Sequence, residues 1–388
     1  MSLLDHLSPQ SRHAPESGIV EVVNYARGRD GLIPLWVGEG DSPTPHFIAK
    51  ACSDALMAGE TFYTWQRGIP ELRRALSDYY DRHFAKRLPP EHFYVTGSGM
   101  QALKLSIEAV VKPGDEMILL TPAWPNFAAA LEISGGKAVS LPLTFAGGSW
   151  HLDMDRLADA ITPRTVGLFV NSPSNPTGWT ASHADLRAIM GLARKHGLWV
   201  IADEIYAQYH FTGSRAPSFL DVMEEGDRIL FVNSFSKNWS MTGWRVGWIV
   251  APPEMGQILE NLIQYSTSGV AQFLQRGGVA ALDHGDQFLA ANIAKARRSR
   301  DILCDALVAT NRVETRTPEA SLYAFVKIDG VTDSRKTAID IVDKAGVGLA
   351  PGTAFGPGGE LFLRACFLRE AAVIEEAAAR LARYIASM

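Results

Sequence analysis

Three apolar runs in this sequence end in groups able to do chemistry together. "TVGLFV" (165–170) is followed by "NSPSNPTG", "LWVIA" (198–202) by "DEIY", and "ILFVN" (229–233) by "SFSKNW". The groups delivered are an amide at Asn175, a carboxylate at Asp203, a phenol at Tyr206 and an amine at Lys237. Ligands of open parallel sheets bind beyond the carboxyl ends of the strands, so these groups converge on one edge. Upstream, "VTGSGMQALKLSIEAV" reads as a strand end, a glycine turn and a helix beginning near Ser98, whose free N–H groups would suit a phosphate. Gly97-x-Gly99-x-x-Ala102 also fits the loose dinucleotide fingerprint. That fingerprint wants an acidic residue at the end of the next strand, but "EMILL" (116–120) runs into Thr121, Pro122, Ala123 and Trp124. An aromatic there suits a flat ring to be stacked.

A phosphate, a planar ring and a reason to meet a lysine, a carboxylate and a phenol describe pyridoxal 5′-phosphate. Its aldehyde forms a Schiff base with a lysine, and its ring nitrogen needs a carboxylate to stay protonated as an electron sink. Lys237 is then the covalent anchor.

The elements that must position these groups follow from the pattern. From about residue 95 to 250, short runs rich in β-branched and large apolar residues alternate with helical stretches, as in stacked βαβ units. They are "EMILLT", "TVGLFV", "LWVIAD", "ILFVNS" and "VGWIVA", and they predict a mostly parallel sheet with strands buried on both faces. "SHADLRAIMGLARKHG" carries Leu186, Ile189 and Ala193 at helical spacing and stops at Gly197, as a crossover helix would. After about residue 286 a long charged helix, "SLYAFVKI", another helix, "LFLRACFL" and a terminal helix read as a smaller α+β domain. The expected fold class is α/β: a large cofactor domain over 45–285, with a mostly parallel sheet flanked by helices, and a small domain built from 1–44 and 286–388.

Taken in order, these motifs resemble the fold-type I pyridoxal-phosphate aminotransferases of class I/II, of the aspartate-aminotransferase kind, from "GEGDSPTP" to "LFLRACF". The resemblance implies a seven-stranded sheet and a role for each matching residue. In "SFSKNWSMTGWRVG", Lys237 carries the Schiff base, while Ser234, Ser236 and Arg245 hold the phosphate. Asp203 pairs with the ring nitrogen; Tyr206 and Asn175 bond the ring 3′-oxygen. Trp124 stacks on the ring, and the backbone N–H groups of Ser98, Gly99 and Met100 cradle the phosphate. Tyr63 in "TFYTWQRG" reaches the phosphate of a neighbouring subunit, which implies a homodimer with shared sites. Arg364 clamps the substrate α-carboxylate bidentately, helped by the Gly38 N–H. Lys237, Asp203 and Tyr206 form the implied catalytic set, and the implied reaction moves an amino group between an α-amino acid and a 2-oxo acid. The alternative on the same scaffold is a C–S/β-lyase or a cyclopropane-carboxylate synthase. Departures from the family pattern fall at Gly40 and Ser42, where Pro and Phe are usual, and at Leu322, where Phe is common.

Composition narrows the rest. With 47% hydrophobic and 20% charged residues and a net charge of −5, the chain is an ordinary globular protein without the basic surface that nucleic acid demands. Cys52, Cys304 and Cys366 are odd in number and widely spaced, so free thiols in a reducing compartment are expected. The histidines lack metal-ligand spacing, so no metal is expected. No run reaches membrane-spanning length and the N-terminus lacks the pattern of a signal peptide, which predicts a cytoplasmic location. Glu204, beside Asp203, is expected to pack structurally.

Overall fold

The computed structural model describes residues 3–12 and 14–388. The apolar runs form strands β1 (Phe93–Thr96), β2 (Glu116–Thr121), β3 (Lys137–Pro142), β4 (Thr165–Asn171), β5 (Trp199–Asp203), β6 (Ile229–Ser234) and β7 (Gly247–Val250) of one sheet. Its order is β1-β7-β6-β5-β4-β2-β3, seven strands in all. β7 runs antiparallel to both its neighbours, and the remaining pairs are parallel. The expected sheet is therefore present.

Every residue of β2, β6 and β7 is buried, because helices cover both faces. Along β5 the alternation is explicit: Val200 and Ala202 join the larger apolar cluster, Ile201 the smaller one on the opposite face. The helices that bear on the site are α1 (Gly18–Ala26), α2 (Gly99–Val110), α3 (Asn126–Ile133), α4 (His183–His196), α5 (Asp286–Val308), α6 (Ser334–Ala345) and α7 (Ala371–Ser387). α4 begins at a capping box between Ser182 and Asp185 and ends at Gly197 in the left-handed conformation, as its sequence predicts.

A second sheet holds β8 (Val313–Glu314), β9 (Tyr323–Ile328), β10 (Ala350–Pro351) and β11 (Phe362–Cys366) in the order β8-β9-β11-β10. Arg364 sits in the interior strand β11, opposite Phe325 on one side and Ala350 on the other. The chain before residue 37 joins this sheet's surroundings: α1 packs on α6, and Ile33–Pro34 pairs in parallel with Val347–Gly348. The next segment turns toward the large sheet, where Thr44 Oγ1 donates to the Ser240 carbonyl at 2.6 Å and accepts from Trp244 Nε1 at 2.9 Å. The three cysteines are free, Cys52 half-buried and the other two buried. Among the described residues no helix is long and apolar enough to cross a membrane.

Candidate active site

The floor of the site is the carboxyl end of β4 and β5. Asp203 is the last residue of β5, 6% exposed, and receives one backbone N–H, from Ile205, at 3.3 Å. Burial raises its pKa from 3.8 to about 7; the Ile205 bond and the charge of Lys237 oppose the rise. Asn171, which ends β4, locks the neighbouring loop in place. Its Nδ2 donates to the Asp203 carbonyl at 3.1 Å, and its Oδ1 accepts from the Asn175 N–H at 2.7 Å. Glu204 points elsewhere, accepting from Ser218 Oγ at 2.6 Å and from the Phe219 N–H at 2.8 Å. Its expected structural role holds.

At the other end, the β1–α2 turn meets the start of the lysine loop. Ser98 is the N-cap of α2, and its Oγ accepts from the Gln101 N–H at 2.9 Å. Beneath this turn Gly247 pairs with both Thr96 and Ser234. A Cβ on Gly247 would lie 2.6 Å from the Gly99 nitrogen, so glycine is required for the strand to pass under the helix start. Gly99, Met100, Ser234, Ser236 and Arg245 line the space above, a group of hydroxyls, a guanidinium and a helix N-terminus suited to a phosphate. Arg245 is exposed in this single chain and donates through Nη1 to the Thr242 carbonyl at 2.6 Å.

Lys237 lies between these ends. Its Nζ donates to the Gly38 carbonyl at 2.6 Å, and its own carbonyl accepts from Tyr209 Oη at 3.0 Å. Burial, aided by the charges of Arg364 and Arg245, holds its pKa below the usual amine value despite nearby Cys366 and Glu39. Tyr206 and Tyr323 share a hydrogen bond between hydroxyls at 2.8 Å. Burial, with Tyr323 beside it, keeps the Tyr206 phenol protonated far above its usual range. A Cβ on Gly38 would collide with the Tyr323 hydroxyl, which explains that glycine.

Arg364 is 2% exposed. Its Nη1 donates to Asn175 Oδ1 at 2.8 Å, its Nη2 to the Trp36 carbonyl, and its buried Nε has no partner. Its guanidinium carbon lies 4.5 Å from the Tyr323 ring centroid and 4.8 Å from that of Phe355. No acidic side chain among the described residues pairs with it, so a buried cation is left facing a cavity.

One cavity of about 600 Å³ brings together Gly38, Gly99, Met100, Trp124, Asn175, Asp203, Tyr206, Ser234, Ser236, Lys237, Arg245 and Arg364. Ser98 stands just behind it as the helix cap. Tyr63 is not part of it: in this single chain the residue is 92% exposed on the surface. Sequence reasoning also missed Asn171 and Tyr209, whose contacts are tertiary, and α1, whose Ile19, Val20 and Val23 line the same cavity. The departures at the start of the chain have local reasons. A Cβ on Gly40 would lie 3.1 Å from the Leu368 side chain, and Ser42 Oγ accepts from Lys295 Nζ at 3.1 Å. Leu322 is simply core.

Solved structures share this architecture. An aspartate aminotransferase mutant of Thermus thermophilus superposes with a TM-score of 0.90 at 31% identity, covering 97% of this chain and 99% of that one. The alanine aminotransferase of Pyrococcus furiosus gives a TM-score of 0.92 at 26% identity, covering 99% and 100%. In sequence, an aspartate aminotransferase of Musicola paradisiaca is 33% identical over 336 residues, 85% of this chain and 83% of the relative. An arginine–pyruvate transaminase of Pseudomonas aeruginosa is 32% identical over 353 residues, 90% and 89% of the two chains. The sequence model of the family described as "Aminotransferase class I and II" matches residues 30–381. Sheet order, strand-end chemistry and sequence agree, and the chain belongs to the class I and II aminotransferases.

Proposed function

We propose that this aminotransferase uses pyridoxal 5′-phosphate held covalently by Lys237. The observation that carries the reading is that Asp203, Lys237 and Arg364 line one cavity, yet among the described residues none of them forms an ion pair. Charges desolvated in this way are costly unless a ligand completes them.

The residues present fit the cofactor. The turn over Gly247 leaves room and N–H groups for a phosphate, Trp124 offers a ring face, and Asp203 has one weak bond and a free side toward the cavity. When bound, pyridoxal phosphate supplies an aldehyde for the substrate amine and a ring that takes up the electrons of the Cα–H bond. Asp203 would hold the ring nitrogen, its carboxylate favouring the protonated ring. Tyr206 and Asn175 orient the ring through its 3′-oxygen, and Tyr323 fixes Tyr206. Arg364 grips the substrate carboxylate with its unspent Nε–H beside Nη, assisted by the Gly38 backbone. Lys237 Nζ would be the base that takes the proton from the substrate Cα, and its lowered pKa favours the neutral amine this requires.

The working unit in this reading is a homodimer in the cytoplasm. Tyr63 sits with Phe62 and Tyr265 among strongly exposed aromatics, a surface suited to a second copy whose phosphate Tyr63 would reach. The two lobes, 45–285 and 1–44 with 286–388, meet at the cavity.

The test is reduction with borohydride followed by peptide mapping. The purified protein is expected to be yellow and to carry the reduced adduct on Lys237, and Lys237→Ala to bind cofactor without turnover. An adduct on another lysine overturns the assignment. Accumulation of pyridoxamine phosphate with an amino acid alone separates transamination from the lyase alternative.

A further inference from the structure

The reaction class leaves the substrate side chain open, and relatives 26% to 33% identical carry names built on aspartate, on arginine and pyruvate, and on alanine. The cavity itself narrows the choice. Part of its wall is an apolar strip from the start of the chain: Ile19, Val20 and Val23 of α1, then Trp36 and Val37. Ile19 and Val23 are one helical turn apart and Val20 lies beside Val23 around the helix, while Val22 and Ala26 continue this apolar face into the core, where both are buried. Val20 stays 52% exposed and Val37 38% exposed, so apolar surface is left uncovered at this wall. Ser17, the polar neighbour, is engaged in capping the Val20 N–H at 3.4 Å.

The strip adjoins the carboxylate clamp, because the Trp36 carbonyl accepts from Arg364 Nη2. A substrate held there by its α-carboxylate has the strip as the neighbour of its side chain. The charged residues lining the cavity are Asp203, Lys237, Arg245 and Arg364, and the proposed reaction engages all of them. Among this chain's residues, a side-chain carboxylate against Val20 and Val37 would lose water without gaining a cation that is still unengaged, whereas an apolar side chain would cover surface now exposed to it.

We infer that this site selects amino acids with an uncharged apolar side chain, about the size of leucine, methionine or phenylalanine, over dicarboxylic ones. The inference rests on the aminotransferase reading of the site given above.

The experiment uses the cofactor-loaded enzyme and calorimetric titration with unreactive acids: 3-phenylpropionate, 4-methylpentanoate and succinate. Both monocarboxylates are expected to bind at least about tenfold more tightly than succinate, the discrimination a hydrophobic pocket can supply. Val20→Asp is expected to weaken 3-phenylpropionate by about tenfold or more, and the milder Val37→Thr by less. Succinate binding as tightly as 3-phenylpropionate, or Val20→Asp and Val37→Thr leaving its affinity unchanged, overturns the strip. Mixing the same enzyme with leucine, phenylalanine, aspartate and glutamate tells the two readings apart. A change in the cofactor spectrum with aspartate but not leucine sinks the side-chain inference alone; no change with any amino acid sinks the underlying aminotransferase site.

Discussion

Asp203 and Glu204 are adjacent, equally buried and equally perturbed, and they face opposite fates. Asp203 is 6% exposed and Glu204 5%, and burial pushes each pKa up to about 7. Glu204 faces the turn at Ser218–Asp221, where a hydroxyl and a backbone N–H satisfy both its oxygens at 2.6 and 2.8 Å. Asp203 faces the cavity with one N–H at 3.3 Å. Burial and a shifted pKa are thus shared by a structural and a functional carboxyl. What separates them is unspent bonding capacity directed at space a ligand can enter. The lysines repeat the contrast: Lys295 is closed by Asp41 and Glu370 at 2.5 Å each, while the Lys237 amine meets only the Gly38 carbonyl among the described residues.

Neutralising each carboxyl in turn should separate them. In the proposed reading Asp203→Asn would remove the charge that favours a protonated ring nitrogen; a facing charge is worth about 1–3 pKa units, so kcat is expected to fall roughly 10²-fold or more. Glu204→Gln keeps an acceptor and a donor for Ser218 and should leave kcat within about threefold. Steady-state rates of the two variants at saturating substrate decide it, and equal losses would erase the distinction. The next effect is on stability. Ser218→Ala strips Glu204 of a buried hydrogen bond and is expected to cost about 1–3 kcal/mol in urea unfolding while kcat stays unchanged. A matching drop in kcat would mean that the two carboxyls act as one unit.

Why one carboxyl of the doublet could be picked from sequence is instructive. Asp203 directly ends an apolar run, and the ends of parallel strands are where ligands gather, so Asp203, Lys237 and Asn175 were readable from local pattern. The sheet was readable for the same reason, since strands buried on both faces spell continuous apolar runs. Contacts made across the chain were not. Tyr323 bonds Tyr206 from 117 residues away, and the Gly38 carbonyl meets Lys237 across 199, although the sequence suggested only its N–H as a contributor. Ser98 was expected to offer its backbone, and its side chain proves to be the helix cap. The apolar strip of α1 resembles any amphipathic helix until the fold shows that one flank borders a cavity.

The pH dependence of stability, gradual per pH unit, tests the carboxyls separately. Between about pH 4.5 and 7 the folded protein holds a proton on Glu204 that the unfolded chain has released. Stability therefore falls as pH rises through that window, by at most about 1.4 kcal/mol per pH unit for one group, and levels off above it. Glu204→Gln removes this slope whether or not cofactor is bound, because its surroundings are all protein. Asp203 contributes a slope of the same sign, from about pH 3.8 to 7, in protein stripped of cofactor. In the proposed reading, loaded cofactor would set a cationic nitrogen against Asp203 and favour its ionised form in the folded state, so its slope should vanish on loading while that of Glu204 persists. Urea unfolding across this range, for stripped and loaded wild type and Glu204→Gln, reads both; a loaded wild type that keeps the full two-group slope would show that Asp203 does not meet the cofactor.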